Sequence, residues 1–99
     1  PHLISFTAVG NIASQPDAQR LFGYTGGGFR DLTRIAGSSP EMWRDICLGN
    51  RDALLRELDA YQTILKHLRE QIAKGDGAML HKLFDKASQA RLKWMQERS

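Results

Sequence analysis

From Trp43 to Ile72 apolar side chains recur at steps of three and four residues, through Cys47, Leu54, Leu58, Tyr61, Leu65 and Leu68, with no proline among them. Such steps hold side chains on one side of an α-helix. Ser39-Pro40-Glu41 supplies a start: a hydroxyl for the N-cap, a proline at the first helical position and an acid near the positive end of the helix dipole. The spacing predicts one helix from Pro40 to Lys74, roughly 50 Å long at 1.5 Å per residue. Only Gly49 interrupts it, and Asn50 falls inside the stripe, where a buried amide fixes helix register more often than it binds a ligand. A helix of that length exceeds what the core of a 99-residue monomer needs. The economical cover for the surplus is a second copy of the chain, packed as in a coiled coil.

The other segments read as shorter helices. Leu3, Phe6, Val9 and Ile12, widened by Ile4 and Ala8, give an amphipathic helix over 3–13, and Ser14-Gln15-Pro16-Asp17 breaks it. Four glycines between positions 23 and 28 predict that Leu21–Phe29 forms no regular element. A short helix is expected from Arg30 to Ala36, ended by Gly37. Gly75-Asp76-Gly77 makes a turn with Asp76 as the cap of a last helix, whose expected buried face is Met79, Leu80, Leu83, Phe84, Ala87, Ala90 and Trp94. No stretch alternates in the manner of a strand. The fold class expected is all-α, a helical bundle with one very long helix, forming one domain over 1–99.

Composition narrows the functional classes. Fourteen Lys and Arg against eleven Asp and Glu leave +3, but acids and bases alternate through Arg44-Asp45, Arg51-Asp52 and Arg56-Glu57 as on a solvated helix face. Only the last helix is lopsidedly basic, through Lys82, Lys86, Arg91, Lys93 and Arg98. That distribution argues against nucleic acid, and a modest positive excess suits a small anionic substrate equally well. No apolar run approaches the ~20 residues of a membrane span, and no signal peptide is recognisable. A soluble, cytoplasmic protein is expected. The chain opens Pro1-His2-Leu3-Ile4 with an apolar pattern already under way, so we expect its N-terminus to lie upstream and the chain to be one domain of a larger protein.

Candidate chemistry concentrates between Tyr24 and Trp43. The glycine cluster lacks the spacing, the lysine and the preceding strand of a phosphate loop, and a tight inter-helix turn is its default reading. Arg34 could clamp a carboxylate through its planar fork of donors, although a surface ion pair is the commoner fate of an arginine. His67 and His81 sit among charged neighbours as solvated positions, and His2 reads as a partly buried structural histidine. Cys47, the one cysteine, reads as a buried, inert thiol. No metal-ligand spacing and no nucleophile triad is present in the sequence.

The run GYTGGGFRDLTRIAGSSPEMWRDICLGNRDALLRELDAY, preceded by Pro1-His2-Leu3 and the helix ending at Ile12, resembles the C-terminal domain of prephenate dehydrogenases. The likeness extends over essentially the whole chain. It implies a helical dimerisation domain of the 6-phosphogluconate-dehydrogenase-like type, separated here from an N-terminal Rossmann domain that binds NAD or NADP. The implied reaction is oxidative decarboxylation of prephenate to 4-hydroxyphenylpyruvate in tyrosine biosynthesis, by a cytoplasmic homodimer. On this resemblance Pro1-His2 ends the family's Ser-His-x-Pro-His motif, His2 binds substrate, Arg34 grips a prephenate carboxylate, and Gly27 and Asp31 reach the partner's cleft. Trp43 lines the same region. No catalytic residue is implied in this chain, since the polarising histidine belongs to the other domain. Tyrosine is a candidate inhibitor, and arogenate an alternative substrate. A purely structural dimerisation module and a basic nucleic-acid module are the readings from other classes.

Overall fold

A computed structural model describes residues 1–98. Its elements are α1 (His2–Ala13), α2 (Ala18–Gly23), α3 (Gly27–Thr33), a 3-10 turn (Arg34–Gly37), α4 (Pro40–Gly49), α5 (Arg51–Lys74) and α6 (Gly77–Arg98). No strand occurs among the described residues, so the all-α expectation holds. The chain divides into two compact units, one ending at Gly49 and the other beginning at Asn50.

In the first unit α1 is the element on which the others pack: α2, α3 and the 3-10 turn all contact it. Leu3, Phe6, Val9 and Ile12 are half-buried, as their spacing predicts. Pro16 stops α1 from continuing, and the chain turns through Ser14, whose N–H reaches the Gly10 carbonyl at 3.0 Å and whose Oγ donates to the Asn11 carbonyl at 3.0 Å.

The glycine-rich stretch departs from expectation. Helix α2 covers Leu21 and Phe22, and α3 opens on Gly27, leaving only Tyr24–Gly26 without helix. Gly26 is extended at φ −102°, ψ −169°, and its carbonyl accepts the Arg30 N–H at 3.2 Å, closing the first turn of α3. Glycines are cheapest at a helix start, where fewest helical hydrogen bonds depend on them. None of these glycines has positive φ, so backbone freedom is not what they supply. The helix expected from Arg30 to Ala36 becomes α3 followed by the 3-10 turn, which Gly37 ends as anticipated.

The long helix is two helices. Ser39 caps α4 as read, its Oγ accepting the Met42 N–H at 3.3 Å. The run then breaks at Asn50, at φ −131°, ψ 34°, whose carbonyl accepts the Leu54 N–H at 3.0 Å to begin α5. Glycine costs about 1 kcal/mol in a helix interior and asparagine favours the N-cap, so Gly49-Asn50 together outweigh the uninterrupted apolar stripe. Asn50 is exposed at that break instead of lying in a buried seam. The 24 residues of α5 span roughly 36 Å.

The second unit is the α5–α6 hairpin. Gly75 is left-handed at φ 67°, the Asp76 N–H reaches the Gln71 carbonyl at 3.0 Å, and the Gly75 N–H reaches that of Ile72 at 3.1 Å. This paired C-terminal closure needs a glycine at that point. Asp76 caps α6 as anticipated, its Oδ1 accepting the Met79 N–H at 3.0 Å. Met79, Leu80 and Leu83 are half-buried, but the rest of the expected face is not: Phe84, Ala87, Ala90 and Trp94 are exposed. Two helices can cover only one side of each other. Cys47 is half-buried, not fully enclosed. No helix of the described residues is long and apolar enough to cross a membrane.

Candidate functional site

The start of α1 sets His2 against α4. Its ring stacks on the Trp43 indole with centroids 3.8 Å apart and planes 16° from parallel. Trp43 is placed by the cap of α4: its N–H bonds the Ser39 carbonyl at 3.2 Å, so the Ser39-Pro40 start fixes the turn that carries the indole. A stacked aromatic pair contributes about 0.5–1.5 kcal/mol beyond the area it covers. Two of the residues singled out in the sequence are therefore in direct contact.

Gly27 is the first residue of α3, Asp31 lies one turn further on, and Arg34 opens the 3-10 turn. All three are exposed, on segments that pack against α1. Among the described residues no hydrogen bond or ion pair joins them to the His2–Trp43 pair, and Arg34 has no carboxylate partner. Among the described residues the surface ion pair expected of an ordinary arginine is thus not made. Among the described residues an ion pair joins Arg44 Nε to Asp45 Oδ1 at 3.0 Å, on α4.

One residue of this corner went unnoticed in the sequence. Ser5, one turn after His2, is 1 % exposed, and its Oγ has no hydrogen-bond partner. The Trp43 Nε1, also enclosed, has none either. A buried polar group left unpaired costs about 1–3 kcal/mol. The signal that could have found Ser5 is its spacing. His2, Ser5 and Val9 are three and four residues apart and share a side of α1, where a hydroxyl interrupts apolar neighbours.

The structure brings an imidazole and an indole into contact; Ser5 shares the helix of His2, and Arg34 lies on a turn that packs against it. No group of three His, Cys, Asp or Glu among the described residues is placed to hold a metal ion. Nor do the glycines build a nucleotide cradle, because Gly26–Gly28 lead into α3 with no strand before them.

Comparison with known proteins places the chain. The family profile described as "Prephenate dehydrogenase, dimerization domain" matches residues 1–86. A cyclohexadienyl dehydrogenase of Zymomonas mobilis is 40% identical over 94 residues, covering 93% of this chain and 32% of that protein. A prephenate dehydrogenase of Bacillus subtilis is 35% identical over 92 residues, 92% of this chain and 25% of that protein. One from Lactococcus lactis is 28% identical over 92 residues, 92% and 26% respectively. The chain spans between a quarter and a third of the length of these curated relatives. No solved structure matches it. On the match over residues 1–86, the chain belongs to the prephenate dehydrogenase dimerization-domain family.

Proposed function

We propose that this chain is the C-terminal, dimerising and substrate-binding part of a dehydrogenase that converts prephenate to 4-hydroxyphenylpyruvate. In that reaction the ring carbon bearing the hydroxyl gives up a hydride to NAD or NADP, CO2 leaves, and the ring becomes aromatic. On this reading the nucleotide is held by a Rossmann domain outside the chain. The chain's own residues bind and orient. Arg34 offers two parallel N–H donors to one substrate carboxylate, His2 and Trp43 border the ring, and Gly27 and Asp31 act from the partner subunit. Exposed apolar side chains on α5 and α6, among them Leu55, Ile64, Leu65 and Phe84, supply the face for a homodimer. The relative at 40% identity is named for the cyclohexadienyl ring that prephenate and arogenate have in common, and so arogenate is kept as a second substrate.

The observation that carries the reading is an exposed Arg34 without a carboxylate partner among the described residues, on a turn packed against the helix that bears His2. The test is Arg34→Gln in the complete protein. KM for prephenate should rise roughly ten- to 150-fold, the equivalent of one charge-assisted hydrogen bond, while KM for the nucleotide stays put. An unchanged KM for prephenate in a folded variant refutes the assignment.

A further inference from the structure

The family match ends at residue 86, and the turns of α6 beyond it differ in character from the rest of the chain. Between positions 86 and 98, Lys86, Arg91, Lys93 and Arg98 stand against one acid, Glu97, while the other ten bases of the sequence are matched by ten acids. The whole of the chain's +3 therefore sits on one end of one helix. Large apolar side chains are exposed there as well: Leu92 is 55 % exposed, Trp94 47 % and Met95 45 %.

These side chains are ordered on the helix. Arg91, Trp94 and Arg98, three and four residues apart, share one side of α6. The Arg91 Cζ lies 4.7 Å from the centre of the Trp94 ring, and the Arg98 Cζ lies 5.2 Å from it. Stacking uses the flat face of a guanidinium and leaves its N–H edge free, and neither arginine has a carboxylate partner among the described residues. One half-exposed indole thus holds two forks of donors that are spaced about 10 Å along the helix, at 1.5 Å per residue. Lys86 and Lys93, seven residues apart, lie on the opposite side, so the bases form no single stripe for a phosphate backbone or a lipid surface to follow. A second copy is no better a match. Outside this end the chain carries no net charge, and end against end sets like charge against like.

We propose that Arg91, Trp94 and Arg98 form a docking site for an acidic segment of another protein, one that places two carboxylates about 10 Å apart with an apolar residue between them. Each guanidinium takes one carboxylate, and the open part of the indole takes the apolar side chain. Because both arginines already rest on Trp94, less of their freedom is lost when the partner arrives. In a helical partner the two acids stand seven residues apart, the same separation as Arg91 and Arg98.

The test is fluorescence anisotropy on the complete protein, with a labelled helical peptide whose only charges are two glutamates seven residues apart, leucine lying between them. Binding should saturate and should weaken as salt is added. Arg91→Gln and Arg98→Gln should each lower the affinity about five-fold, the upper range for an exposed ion pair, and Trp94→Ala, which releases both guanidinium groups, should lower it at least as much. Lys86→Gln combined with Lys93→Gln removes charge from the other side and should leave the affinity within about a factor of two. KM for prephenate should be the same in all of these variants. No binding by the unsubstituted protein overturns the proposal. An equal loss from the paired lysine changes also overturns it, since net charge alone would then account for binding. Tighter binding of a single-stranded oligonucleotide or of phosphatidylserine vesicles, measured side by side, refutes the choice of partner. A raised KM for prephenate in the arginine variants assigns this face to the substrate site and refutes the docking role.

Discussion

Arg34 and Gly75 show how different a single residue's demands can be. Arg34 is exposed at the head of a 3-10 turn, and its side chain makes no ion pair among the described residues. Its replacement should cost little stability and act mainly on substrate binding. Because a carboxylate clamp holds substrate and transition state alike, the main effect of Arg34→Gln belongs in KM with a smaller fall in kcat. Arg34→Lys should recover little of it, as a point charge does not reproduce two parallel donors. Steady-state kinetics of the two variants side by side decide this, and full recovery by lysine refutes the two-donor geometry. Gly75 is the opposite case. A Cβ there meets nothing within 4 Å, yet φ is +67°. Gly75→Ala should therefore lose about 1–2 kcal/mol through backbone strain alone, read as a lowered Tm with unchanged KM. An unchanged Tm would mean that the hairpin reaches its turn by another route.

At the scale of the element, helix starts and stops were legible where a side chain makes the stop, and illegible where two weak preferences compete. Ser39 and Asp76 announce themselves as caps, and both accept the backbone N–H expected of them. The break at Asn50 was hidden because the apolar stripe runs straight across it: periodicity reports a face, and it is indifferent to one residue leaving helical geometry. Gly26–Gly28 misled in the other direction, since glycine count says loop while position says helix start. The candidate site was legible through His2, Arg34 and Trp43 only as a family resemblance, and the enclosure of Ser5 was not legible, because burial of a hydroxyl is a property of packing that no spacing states. The break invites a test. No atom lies within 4 Å of a Cβ built on Gly49, so Gly49→Ala should fit and gain up to about 1 kcal/mol of helix stability. A raised Tm and stronger helical circular dichroism are expected. A lower Tm would show that the junction requires glycine.

For the whole molecule, the deciding fact is that no apolar side chain among the described residues is fully buried. In the α5–α6 hairpin a groove of about 430 Å³ is lined by Ile64, Leu68, Leu83 and Phe84, and Ile64 stands 68 % exposed beside it. Stable homodimers commonly bury more than ~2,000 Å², and these side chains are the surface available for it. Light scattering at micromolar concentration should report a dimer, and Ile64→Asp should yield monomers. A chain that is monomeric without any substitution would contradict the dimerising role. A hairpin with so little interior of its own cannot treat folding and pairing as separate events. Its melting temperature should climb as the protein is concentrated, because mass action then stabilises the native form. Newly made chains would face the same arithmetic: each hairpin stays half-finished until it meets another, and scarcity alone unfolds it.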